Sequence, residues 1–157
     1  MTVSMNLAGV RPGLWASADC DLRVLAGVPK ELAFAVVAAT VTRQRDEMAT
    51  GLLTAGGSDA DVRSLLLALP DLSSLAARLR KPSADRRPRG RSLTRLTWSL
   101  RRARIFLESF APPTASDDPV LEDRAFDLLV KVVFLLDIVD AWRDPGAAAL
   151  AAARKTG

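Results

Sequence analysis

Apolar residues recur along this chain at intervals of three and four for most of its length. The most regular run is Leu93, Leu96, Leu100, Ala103, Leu107 and Phe110, spaced 3, 4, 3, 4, 3, which is the a/d seam of a helix packed against a partner helix. Upstream, Pro29 opens an apolar pattern that continues to about Leu53, where Gly56 and Gly57 stop it. Proline suits the first helical turn because its missing N–H is one that needs no intrahelical acceptor, and glycine suits the end because it adopts left-handed backbone freely. At 1.5 Å per residue that helix is roughly 35 to 40 Å long. Ser58 and Asp61 have the spacing of a capping box ahead of Val62, Leu65, Leu66 and Leu69, and Pro70 ends the helix. Asp71 caps a further short helix carrying Leu72, Leu75 and Leu79 on one face, and Asp118 before Pro119 caps a last long one running to Trp142. Near the start, Ser17 predicts a short helix with Ala18, Leu22 and Leu25 at helical spacing and Asp19 and Asp21 in its first turn.

No run of alternating β-branched residues interrupts this pattern, so the expected fold class is all-α: a helical bundle of about four main helices with additional short helices and a basic loop. At 157 residues the chain is most economically a single helical domain spanning 1–157. Residues 1–14 and 146–157 are expected to be frayed termini, and 80–91, broken by Pro82, Pro88 and Gly90, a flexible basic loop. The seam at Leu93 to Phe110, together with an apolar surface from Phe126 to Trp142 wider than one neighbouring helix needs, predicts a homo-oligomer.

Composition narrows the setting. Cys20 is the only cysteine, so no intramolecular disulfide is possible and zinc-site spacing has nothing to act on, which fits a reducing cytoplasm. The opening "MTVSMNLAGVRPGLW" lacks a positive region ahead of a continuous apolar stretch and does not read as a signal peptide. Leu32 to Val41 is about half a membrane span, and Phe126 to Trp142 is interrupted by Asp127, Lys131, Asp137 and Asp140, so neither is expected to cross a bilayer.

Charge changes the picture most. The formal net charge is only +4, yet residues 1–77 carry six Lys/Arg against eight Asp/Glu, residues 78–104 eleven against one, and residues 105–157 five against nine. Half of the positive charge therefore lies in one short segment, and ten of its eleven cations are arginine. The planar guanidinium fork matches phosphate oxygens bidentately and stacks on aromatic or base faces. On the helix that follows the loop, Arg91, Arg95 and Arg102 fall within about 40° of one another on the side opposite the leucine seam, and Trp98 shares that side, with Ile105 and Phe106 flanking. The candidate nucleic-acid-binding set is Arg80, Lys81, Arg86, Arg87, Arg89, Arg91, Arg95, Trp98, Arg101 and Arg102. Two other readings stand beside it: a second apolar contact with the arginines reaching past it to water, and a strip that docks an acidic protein. The carboxylates Asp117, Asp118, Glu122, Asp123 and Asp127 can also pair with the arginines, within one chain or between copies.

Catalytic chemistry is poorly supplied. The chain has no His and no Tyr, which removes the commonest general base and metal ligand and the Ser-His logic of acyl transfer. Carboxylates at Asp117, Asp118 and Glu122, or at Asp137 and Asp140, can hold magnesium, but capping and solvation explain them equally well. "GGSDADVR" lacks the Gly-Lys-Ser/Thr ending of a phosphate loop, and Cys20 has no cationic neighbour in sequence. The expectation is a protein that is not an enzyme and has no cofactor and no metal.

Three short pieces carry a family resemblance: "PKELAF" at Pro29 to Phe34, "LRRARIFLESF" at Leu100 to Phe110, and the last apolar helix ending in Trp142. Together they resemble the small bacterial four-helix-bundle proteins that include ribosomal-intervening-sequence proteins and the accessory variability determinants of diversity-generating retroelements. They cover about a third of the chain, and residues 56–91 depart from that pattern as a long insertion. The resemblance implies a basic bundle, assembled as a ring-like homo-oligomer, that binds DNA or RNA and a reverse transcriptase without catalysis of its own.

Overall fold

A helix that is apolar on every side can be stable in water only if other helices surround it. Two segments have that composition, and they form the centre of the fold. The computed structural model describes residues 22–81, 87–112, 119–144, 146 and 153–154. Among these, a 3-10 turn at Val24–Gly27 leads into α1 (Lys30–Thr54), followed by α2 (Asp59–Ala68), α3 (Ser73–Arg80), α4 (Gly90–Glu108) and α5 (Pro119–Arg143), with no strand. Three long helices and the pair of short ones make the all-α bundle the pattern calls for. The helix expected from Ser17, and with it Cys20, lies outside the described residues except for its end, where Leu22 is buried in the core.

α1 packs against α2, α3 and α5, while α4 packs against α5 and α2. Each of the other helices thus packs on α1 or α5. In α1, Ala33, Ala35 and Ala38 let neighbouring helices approach closely around Phe34, Val37 and Val41, all of them buried. In α5 the buried positions Val130, Val132, Phe134, Leu135, Leu136, Ile138 and Val139 cover most of the helix circumference. Most of the apolar surface from Phe126 to Trp142 is therefore buried within one chain, with Phe126 left exposed. Phe34 and Trp142 close the core between α1 and α5, with ring centroids 5.1 Å apart. No helix among the described residues is long and apolar enough to cross a membrane.

The helix ends follow their local chemistry. Gly57 N–H donates to the Leu52 carbonyl (2.8 Å) and Gly56 N–H to that of Leu53 (3.2 Å), with Gly56 at φ +87°, so α1 ends in a Schellman turn that only glycine enters without strain. Ser58 and Asp61 form the reciprocal capping box of α2. At the start of α3 the Ser73 hydroxyl and N–H both donate to Asp71 Oδ1, at 2.6 and 3.0 Å, and hold that carboxyl below the usual carboxylate range.

The bend between α2 and α3 is tied to α1 by two side chains. Thr42 Oγ1 accepts the buried Leu72 N–H at 2.9 Å, and Arg45 Nη1 donates to the Leu69 carbonyl at 3.3 Å. Replacing Thr42 by Val keeps the shape but leaves the Leu72 N–H without an acceptor, which costs roughly 1–3 kcal/mol. Urea denaturation of Thr42→Val checks this; a midpoint equal to that of the parent protein refutes it.

Candidate nucleic-acid interface

The seam of α4 lies where its spacing puts it: Leu96, Leu100, Ala103 and Leu107 are buried, with Leu93 and Phe110 partly so. That burial fixes what the opposite side shows to solvent. Setting Trp98 at zero and turning about 100° per residue, Arg91, Arg102 and Arg95 stand at about 20°, 40° and 60°, Ile105 at about −20° and Arg101 at about −60°. Trp98 and Ile105 are 67% and 68% exposed, which makes them the most accessible large apolar side chains on the long helices. An aliphatic and an indole at the crest of a solvent-facing surface contribute nothing to the core.

Clustering sets these arginines apart. Some exposed cations have carboxylates, Arg43 with Glu47 at 3.5 Å and Arg104 with Glu108 at 2.6 Å, and others, such as Lys30, Arg63, Arg124 and Arg143, are exposed without an ion pair among the described residues but are scattered over the other helices. Arg91, Arg95, Arg101 and Arg102 are exposed and make no ion pair among the described residues. Helix electrostatics sharpens the contrast. Arg78 and Arg80 occupy the last turn of α3, where the partial negative charge of the helix end favours them. Arg89 and Arg91 occupy the first turn region of α4, where the partial positive charge opposes them, and no acidic residue is present there to compensate. At the start of α4 the side chains therefore add to the dipole's own field, and such an end attracts anions.

The remaining candidates divide. Arg80 and Lys81 are exposed at the end of α3. Arg87 is half-buried beside a buried Pro88, Arg89 is exposed, and both arginines have partners. Arg86 falls within 82–86, outside the described residues. Phe106 does not belong to the strip. It turns toward Phe110 (centroids 6.1 Å apart) and lines an open groove of about 550 Å³ with Leu52, Asp61 and Ser109, at the far end of α4.

The alternative in which Asp127 pairs with the arginines is corrected by the structure. Asp127 Oδ2 accepts from Lys131 Nζ at 2.5 Å and from Gln44 Nε2 at 3.0 Å, and both ionic side chains are buried between α1 and α5. Asp127 Oδ1 and Gln44 Oε1 are buried without a hydrogen-bond partner. The i, i+4 spacing of Asp127 and Lys131 inside an apolar run was the available signal for this pair. Asp117 and Asp118 lie outside the described residues, Glu122 is exposed, and Asp123 is half-buried. No group of three or more Cys, Asp or Glu side chains gathers at metal-holding distance among the described residues.

No family model matches the chain, and neither a curated protein nor a solved structure matches it.

Proposed function

We propose that this protein is a non-catalytic accessory protein that binds a nucleic-acid backbone through α4 and the basic segment before it. The observation that carries the reading is the set Arg91, Arg95, Arg101 and Arg102, exposed around Trp98 and without ion pairs among the described residues. Phosphates provide what these side chains lack. Arg80 and Lys81 are further exposed cations at the end of α3, and the dipole at the start of α4 adds to the positive field of the strip. The family resemblance extends the proposal to DNA or RNA bound in the service of a reverse transcriptase, with the working form a homo-oligomer in the cytoplasm.

The test is a titration of labelled oligonucleotide at several ionic strengths, with protein stripped of contaminating nucleic acid. Neutralising phosphates releases counterions, so affinity falls steeply as salt rises and changes little with base sequence. Absence of binding at low salt refutes the proposal. A second reading, a helical adaptor docking an acidic protein, is favoured by the exposed apolar crest of Trp98 and Ile105 within the basic strip. It predicts no oligonucleotide binding and an acidic protein that co-purifies after nuclease treatment.

A further inference from the structure

The arrangement of the strip, beyond its charge, bears on which form of nucleic acid fits it. We infer that α4 takes a single strand laid along its length, its backbone on the Arg91–Arg95–Arg102 edge and a base stacked on the Trp98 indole; the inference rests on the nucleic-acid reading above.

Three features support it. First, the strip has sides. Three arginines occupy one flank and Arg101 the other, with Trp98 and Ile105 along the crest between them. Arg95 and Arg102 are seven residues apart, about 10.5 Å along the axis, and bracket Trp98. A chain of phosphates on one flank therefore brings its bases over the crest, where an indole meets them, and puts their edges within the reach of Arg101. Second, the crest is apolar. A duplex presents base edges and phosphates but no free base faces. A helix seated in a major groove would press Trp98 and Ile105 against polar base edges, and the groove of duplex RNA is too narrow to admit it. Stacking, in contrast, needs an unpaired base and is tolerant of its identity. Third, the indole is available. Trp98 makes no ring contact among the described residues, whereas Trp142 packs on Phe34, and at 67% exposure its replacement leaves the core intact.

The experiment uses the full chain with two probes, a short labelled oligothymidylate and a blunt duplex carrying the same number of phosphates, read by anisotropy and by tryptophan emission. The expected result is tighter binding of the single strand by about tenfold or more, with quenching that disappears in Trp98→Phe and so belongs to Trp98 rather than to a buried tryptophan. Trp98→Ala weakens the single strand by roughly ten- to a hundredfold, the range of one lost base–aromatic stack. It leaves the duplex affinity and the salt slope as they were, while Trp98→Phe restores most of the loss. Equal binding of both probes without quenching overturns the stacked single strand and leaves the backbone reading standing. Preference for the duplex overturns it as well, in favour of a groove-bound helix. Failure of both probes to bind at low salt overturns the nucleic-acid reading itself.

Discussion

Lys131→Met is expected to destabilise the protein by about 3–5 kcal/mol, because it strands a carboxylate in the core. Asp127 is almost wholly buried and its Oδ1 already has no hydrogen-bond partner, so its charge is held by Lys131 at 2.5 Å and by the Gln44 amide at 3.0 Å. With the ammonium removed, one neutral amide donor remains for a carboxylate that is buried. The carboxylate must then take up a proton or open the α1–α5 packing. The matching experiment replaces both charges: Asp127→Leu with Lys131→Met removes the ion that needed compensation and costs much less than Lys131→Met alone, in the pattern seen when buried pairs give way to apolar residues of similar volume. Urea midpoints at constant slope measure the difference. A single variant within about 1 kcal/mol of the parent would mean that the pair is solvated by an opening of the bundle. A double variant as unstable as the single one would show that the loss comes from packing around Lys131 and not from the stranded charge.

This pair also shows where the sequence stops being informative. An apolar helix interrupted by Asp127 and Lys131 reads equally well as a helix with a wet edge, and periodicity cannot choose, since α5 has apolar residues on every side. The decision comes from Gln44, on a different helix and 83 residues away in the chain. Features set by neighbouring residues were legible in full. The glycine stop after α1, the capping box of α2 and the seam of α4 each depend on contacts within a few residues, and each stands where its pattern puts it. The strip on α4 belongs with them: burying the seam fixes the opposite face, and Trp98, Arg91, Arg95 and Arg102 follow from helix geometry alone. Phe106 departs from its expected place for the same reason that Asp127 does. At about 80° from Trp98 it stands on the boundary between the two faces, and only the turn at the end of α4, which brings Phe110 beside it, draws it away from solvent. Pro88 repeats the point, since a proline-broken basic segment gives no sign in its own sequence that one of its residues is buried.

Replacing Arg91, Arg95, Arg101 and Arg102 together by Gln is expected to weaken oligonucleotide binding by on the order of a hundredfold or more at low salt, with no loss of fold stability. The two halves of that expectation have one cause. Because the four side chains are exposed and make no ion pairs among the described residues, nothing in the bundle depends on their charge, and Gln keeps a helix propensity close to that of Arg. Arg91 opposes the dipole at the start of α4, so its neutralisation stabilises the helix slightly, by a few tenths of a kcal/mol to about 1. A surface that gives up stability to hold a charge against the local field is best explained by what the charge binds. Losing four phosphate contacts also lowers the salt slope by about 3 for a single strand. The corresponding Arg→Lys variant preserves the slope, since counterion release counts charges, and still binds more weakly, because an ammonium reproduces neither the bidentate fork nor the stacked plane beside Trp98. Unchanged affinity and slope in the Gln variant would remove α4 from the interface. Absence of oligonucleotide binding in the parent protein, combined with release of a co-purifying acidic protein from the Gln variant, would assign the same strip to the adaptor reading, because a docked protein, unlike a phosphate backbone, leaves no counterion signature in an oligonucleotide titration.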